Sequence, residues 1–323
     1  PGYEGEIPSG DGIIPFQSDT NGVHFSFRPT AINGGTMDDA SAYSLNVKVY
    51  PLADIDDPTP AEVVDVFENP VTTYPVYDWT FFTDLNTVIQ REPVLERDKA
   101  MMGLLASLGM VPGQPFDPDE ETKAAMLDGL QCAYDYLQHW FVTEGGGLKR
   151  IWDDSEWRTF NFDLEQAKQG LPFTDETSLL IDKRAFPYFY VTYLPKKLGG
   201  GTYYMTGIVD SNGELLNGAD TYRLNVPADT PAEDFWSVIV YSMKNKGFIE
   251  GAPETGLATP DMENMIVNAD GSVDIYFSPE PPEGQESNWI TTGEDWFVLF
   301  RLYGRKEGWI DSGWRLPEFE KIE

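Results

Sequence analysis

The chain is short of basic residues, of histidine and of cysteine, and each shortage excludes a chemistry. Lys and Arg number 22 against 54 Asp and Glu over 323 residues, a formal charge of −32. Nucleic acid and anionic membrane surfaces are held by clustered lysine and arginine, so neither is an expected partner. The two histidines, His24 and His139, cannot supply the His-rich ligand set of a catalytic zinc. Cys132, the single cysteine, forms no intrachain disulfide and leaves the redox compartment open. It falls in a helical pattern and reads as a small core residue. No apolar run approaches the roughly 18 residues of a spanning helix. No Gly-x-Ser-x-Gly elbow, phosphate loop or Gly-x-Gly-x-x-Gly turn is present, so no nucleotide cofactor is expected. The chain opens at Pro1 with no basic-then-apolar leader; this reads as a removed leader or a start partway through a longer product.

What is present suits a folded, turn-rich protein. Hydrophobic residues make up 41% and aromatics 14%, enough for a sizeable core. Thirty Gly and 24 Pro are spread along the chain, as between short strands. The length suits two domains. The acid excess favours solubility and fits high ionic strength, where salt screens self-repulsion. A saline or marine extracellular setting and an ordinary acidic protein both remain open.

Residues 1–78 read as β structure, with alternation over Val23–Arg28 and over Ser44–Tyr50, where Leu45, Val47 and Val49 share a face. Residues 79–174 read as a helical region and connector. Asp78 caps a helix carrying Phe82, Leu85 and Ile89. Met101, Leu104, Leu105 and Leu108 form a second stripe, stopped by Gly109. Asp117, with Pro118 and Glu120 after it, opens a third helix bearing Leu127, Leu130, Tyr134, Leu137 and Phe141. Residues 175–323 return to strands: Phe186–Tyr193, Thr202–Val209, Thr221–Val226, Trp236–Tyr241 and Trp296–Tyr303. Hairpin turns are expected at Asp210–Gly213 and at Asp270-Gly271, between apolar runs, and Thr230–Glu233 resembles a capping box opening a helical turn. The expected fold is mainly β with a helical insertion, a jelly-roll-like β-sandwich following a partial N-terminal β domain.

An ordered set of motifs runs through the last third. These are Tyr222-x-Leu224, Phe235-Trp-Ser-Val238 with Tyr241, Asn268-Ala-Asp-Gly-Ser-Val-Asp-Ile-Tyr-Phe277, Pro282-x-Gly284 with Asn288-Trp289, Arg301-Leu-Tyr-Gly304, and Trp314. This set resembles the exported proteins that pair domain of unknown function 1254 with domain of unknown function 1214. Pro1–Gly5, Lys48–Leu52, Phe81–Asn86 and Leu104–Gly109 resemble the late part of the first domain and the helical region after it. The resemblance implies a secreted or periplasmic location and a jelly-roll-like sandwich, and it implies no reaction. The early strands of the first domain have no counterpart here. That leaves room for self-association or for a second chain supplying them.

The strongest ligand signal is aromatic. Tyr188, Tyr190, Tyr203, Tyr204, Trp236, Tyr241 and Trp289 fall on neighbouring strand segments, and flat rings stack on sugars or line apolar pockets. Asn288 and Arg301 add directional bonds and an anion clamp. The competing reading is that the rings fill the sandwich core. Asp210, Asn212 and Glu214 form an acidic turn with oxygen ligands of the kind calcium takes, though an Asx turn needs the same residues. Three functions stay open: binding or processing of a carbohydrate or small polar ligand, a structural subunit of an extracellular assembly, and a carboxylate-based hydrolase or lyase.

Overall fold

The computed structural model describes residues 5–24, 35–59, 62, 64, 66, 72, 74–161, 173–191 and 202–322. The chain divides into two compact units, 1–72 with 77–128 and 73–76 with 129–323.

In the first unit, α1 (Met37–Ser44) starts at Thr36, whose side chain accepts the Asp39 N–H while the Asp39 carboxylate accepts the Thr36 N–H. The alternation over Ser44–Tyr50 does not become a strand. The amides of Asn46 and Val47 bond back to Tyr43 and Ser44, and Leu45 is 87% exposed, so among the described residues the pattern has neither a partner strand nor a core to face. Most of the strand expected at Val23–Arg28 lies outside the described residues. α2 (Trp79–Arg91) is capped by Asp78 and buries Phe82 and Ile89, as its period requires. α3 (Lys99–Ser107) ends at Gly109, whose φ of 87° lets the Met110 amide reach Leu105 O. α4 (Glu120–Val142) is capped by Asp119 and not by Asp117: the Asp119 carboxylate accepts the Thr122 N–H at 2.8 Å. From Gly129 onward α4 belongs to the second unit. Cys132 is exposed on it, which corrects its reading as a core residue.

The second unit holds two sheets. One has six strands in the order β1 (Leu148–Arg150), β2 (Arg158–Phe160), β3 (Thr202–Gly207), β9 (Trp296–Arg305), β5 (Ala232–Ser242), β6 (Gly256–Ala258). The other has four: β10 (Glu320–Lys321), β4 (Tyr222–Val226), β7 (Val273–Ser278), β8 (Trp289–Thr291), with β7 and β8 parallel. Alternation decides what each face carries. Met205, Trp236, Val238, Val240, Val298, Phe300 and Leu302 of the larger sheet meet Leu224, Val226, Val273, Ile275, Phe277 and Ile290 of the smaller in one core. Rings of Tyr222 and Phe277 lie 5.6 and 5.4 Å from that of Trp296, closing the sandwich.

The outer face of the larger sheet is covered at one end by helices. Phe186–Tyr193, expected as a strand, is instead largely α5 (Ile181–Val191). In a strand Phe186, Tyr188 and Tyr190 would share a face. Here Phe186, Phe189 and Tyr190 are buried and Tyr188 is 47% exposed, a spacing of three and four that only a helix produces. Phe186 packs on the backbone of Gly147, where any Cβ would run into its ring. Thr230–Glu233 forms no helical turn; β5 already begins at Ala232, with a bulge before Phe235. Asp210–Gly213 closes a tight turn with Gly213 at φ 79°. Asp270-Gly271 also turns, leading into β7, but the residues before it pair with no strand, so it is not a hairpin.

Candidate functional site

β9 lies between β3 and β5, and the residues it turns away from the core are Phe297, Leu299, Arg301 and Tyr303. Register sets their neighbours. Arg301 stands opposite Tyr204 on β3 and Ser237 on β5; Phe297 stands opposite Tyr241; Leu299 stands opposite Thr206 and Ile239. Strand pairing thus gathers one guanidinium, several tyrosines and two hydroxyl side chains on the outer face.

The Arg301 side chain donates through Nη2 to the Tyr241 hydroxyl. Its guanidinium carbon lies 5.6 Å from the Tyr204 ring centroid and 5.8 Å from that of Tyr241. Beside it Tyr190 and Thr206 share a hydroxyl hydrogen bond of 2.7 Å. Burial pushes the Tyr190 and Tyr241 hydroxyls above the usual tyrosine range, and the nearby Arg301 charge only partly opposes it, so both stay neutral. Arg301 has no carboxylate partner among the described residues, and its Nε and the Ser237 Oγ are buried without a hydrogen-bond partner among them. A buried donor left unpaired costs about 1–3 kcal/mol, so it calls for a reason.

A second cation lies on the same face. Lys246, in the turn after β5, is 6% exposed, and its amine donates to Gln138 Oε1 at 2.6 Å and to the Met243 carbonyl. Rings of Phe141, Phe189 and Phe297 surround it, with centroids 4.4, 4.8 and 5.8 Å away. Desolvation alone holds the amine far below the usual lysine range, at about 7.

The sequence-derived candidates separate on this framework. Tyr190, Tyr241 and Arg301 come together, joined by Tyr204. Tyr203 and Trp236 point the other way: the Tyr203 ring lies 4.8 Å from that of Trp309, and Trp236 stacks on Phe300 at 5.7 Å. Trp289 sits on the smaller sheet, its indole donating to Ser278 O at 2.9 Å. A single concave face shared by Trp236, Trp289 and Arg301 is therefore not formed. Asn288 is buried, accepts the Ile266 N–H, and donates to Ile266 O and Asp274 O. Tyr188 stays on the exposed side of α5. A cleft of about 170 Å³ does lie beside Trp236, lined by Val226, Thr230, Phe235, Met262 and Asp234. A shallower groove of about 470 Å³ runs past Lys306, Trp309 and Trp314.

The acidic candidates have structural work. The Asp210 Oδ1 accepts the amides of Asn212 and Glu214 at 2.8 and 3.0 Å, the bonding of an Asx turn. Among the described residues no three His, Cys, Asp or Glu side chains converge as metal ligands. The carboxylate of Glu318 accepts from Ser155 Oγ and the Glu156 N–H, and burial raises it, with Glu156 adding to the effect. This pair of acids lines neither the cleft nor the groove.

Residues 201–307, from β3 through β9, match the family described as protein of unknown function (DUF1214). The matched segment carries Arg301, Tyr204, Ser237 and Tyr241, and it brings no reaction with it. No curated protein matches the chain. A crystal structure of a protein from Vibrio parahaemolyticus is similar over 88% of this chain, at 18% identity and a TM-score of 0.38. One of an uncharacterized protein from Burkholderia cenocepacia is similar over 49%, at 16% identity and a TM-score of 0.26. The chain spans 66% and 47% of the length of those two proteins. No helix among the described residues is long and apolar enough to cross a membrane.

Proposed function

We propose that the sandwich binds a small anionic ligand on its outer face, anchored by Arg301. The observation that carries this is a half-buried guanidinium without a carboxylate partner among the described residues, in a chain with 54 acids and 22 bases. A guanidinium offers a planar fork matched to carboxylate or phosphate. The Tyr241 hydroxyl fixes its orientation, and Tyr204, 40% exposed, offers a ring face beside it. An acidic or phosphorylated sugar is the form of carbohydrate that suits this cluster, because charge and ring are adjacent while Trp236 and Trp289 are turned elsewhere.

Thermal unfolding with glucuronate, citrate and inorganic phosphate tests it. A ligand at roughly 100 times its Kd stabilises by about 2.7 kcal/mol, a rise of several degrees in Tm. That rise is expected to vanish in Arg301→Gln and to persist in Trp236→Phe. An Arg301→Gln protein that responds like the wild type ends the proposal.

Export, and completion of the amino-terminal region by a second chain or a second copy, belong to the same proposal and rest on the sequence resemblance. One observation favours an assembly role as a second reading: Ile14 and Phe16 of the first unit are 75% and 89% exposed, neighbouring apolar side chains that a second copy would cover. Light scattering that returns a monomer removes that reading.

A further inference from the structure

Lys246 occupies a position where a lysine is expensive to keep. It follows β5 in the Met243–Phe248 turn and takes a left-handed backbone conformation, φ 60°, that non-glycine residues seldom adopt. From there its amine joins four pieces of the unit: Gln138 and Phe141 of α4, Phe189 of α5, Phe297 of β9 and the Met243 carbonyl of its own turn. The same Gln138 donates to Met243 O at 2.9 Å and to the Tyr134 hydroxyl at 2.6 Å, and that hydroxyl donates to Lys244 O at 2.7 Å. The network closes α4 onto the turn through amide, hydroxyl and carbonyl groups.

Among the described residues, the titratable groups on the surrounding elements bring no carboxylate to the amine. They are Tyr134 on α4, Tyr190 on α5, Tyr241 on β5, Lys244 on the turn, and Tyr74, whose ring packs on Gly247 and whose hydroxyl donates to the exposed carboxylate of Glu250. Asp135 and His139 of α4, Asp182 of α5 and Asp295 before β9 are solvent-exposed. An ammonium at this position would have two oxygen acceptors and three ring faces, and no anion among the described residues.

We propose that Lys246 is a proton-controlled bolt, which holds α4 and α5 against the outer face of the six-stranded sheet while its amine is uncharged and loosens them when the amine is charged. The direction follows from linkage. Burial lowers the amine of the docked form from 10.5 to about 7. Between those values the undocked or unfolded form binds more protons, so docking strengthens as pH rises through the window and reaches its full value above it. Below about 7 both forms carry the proton and the contribution is gone. Within the window each pH unit changes the folding equilibrium by about tenfold.

Two measurements test this on the full chain. In ¹⁵N-lysine NMR of the wild type, one side-chain nitrogen, assigned to Lys246 by its absence from Lys246→Met, is expected to titrate near neutrality while the others titrate in the ordinary lysine range. In urea unfolding, the ratio of wild-type to Lys246→Met folding constants is expected to climb about tenfold per pH unit through the window. A Lys246 nitrogen that titrates with the other lysines overturns the proposal, as do two stability profiles that run parallel across it. If Lys246→Met does not fold, the wild-type titration decides alone: a single nitrogen moving near neutrality supports the bolt, and none doing so removes it.

Discussion

Phe297→Ala is expected to lower the unfolding free energy by about 3–5 kcal/mol, the range for a fully buried phenylalanine. Phe297 is buried, and its ring meets Phe141 at 5.1 Å, Tyr241 at 5.4 Å and Tyr190 at 5.7 Å, with the Lys246 amine 5.8 Å away. It is therefore the point at which α4, α5, β5 and the turn after it all touch the central strand. Its removal leaves a cavity bounded by separate elements, and a cavity that must be closed from several directions relaxes poorly. Chemical denaturation measures the cost. A loss under about 1 kcal/mol would mean that the helices are not packed on this face, since truncation of a buried large side chain to alanine costs about 2–5 kcal/mol.

Asn288→Ala is expected to cost about 2–4 kcal/mol and to leave any ligand-induced rise in Tm intact, because alanine would strand several buried main-chain groups at about 1–3 kcal/mol each where water cannot replace the bond. The side chain makes three bonds to main-chain groups: from the Ile266 N–H, and to the carbonyls of Ile266 and Asp274. The residue pins the loop before β7 to the start of β8, on the smaller sheet, whereas Arg301 faces outward from the larger one. Denaturation and ligand-dependent melting on the same variant separate the two roles. Unchanged stability with a lost ligand response would return Asn288 to the binding site and refute the structural account.

These two residues also show how far the sequence could be read. The regular elements were legible where a local pattern and a local partner agreed. Asp78 before the Phe82–Ile89 stripe became a capped helix, and the runs around Leu224, Val238 and Val298 became strands buried on one face or both. Errors arose where two periods fit one composition. Phe186 to Tyr190 is aromatic enough for a strand, and the packing of Phe186 and Tyr190 on Phe141 and of Phe189 on Tyr134 selects the helix. Leu45 to Val49 alternates but finds nothing to pair with among the described residues. Asn288 carried a functional signal because a buried amide and a ligand-binding amide look alike without their partners.

The candidate site was legible in part. Arg301, Tyr190 and Tyr241 could be named, but their assembly depends on β3 and β5 flanking β9, a pairing between segments far apart in the chain. Ser237 gave no signal of its own and enters through register alone. Lys246 was invisible for a different reason: a lysine in a turn is normally a solvated one, and its burial is set by a left-handed backbone and three phenylalanines from distant elements.

The two faces of β9 differ enough to guide how the chain finds its fold. With Trp296, Val298, Phe300 and Leu302 facing one way and Arg301 the other, a slip of one residue would drive a guanidinium into the sandwich and push Phe300 into water. Longer even-numbered slips keep the alternation but break the Tyr204, Arg301, Ser237 row. The arginine thus marks the register of the central strand within the sheet.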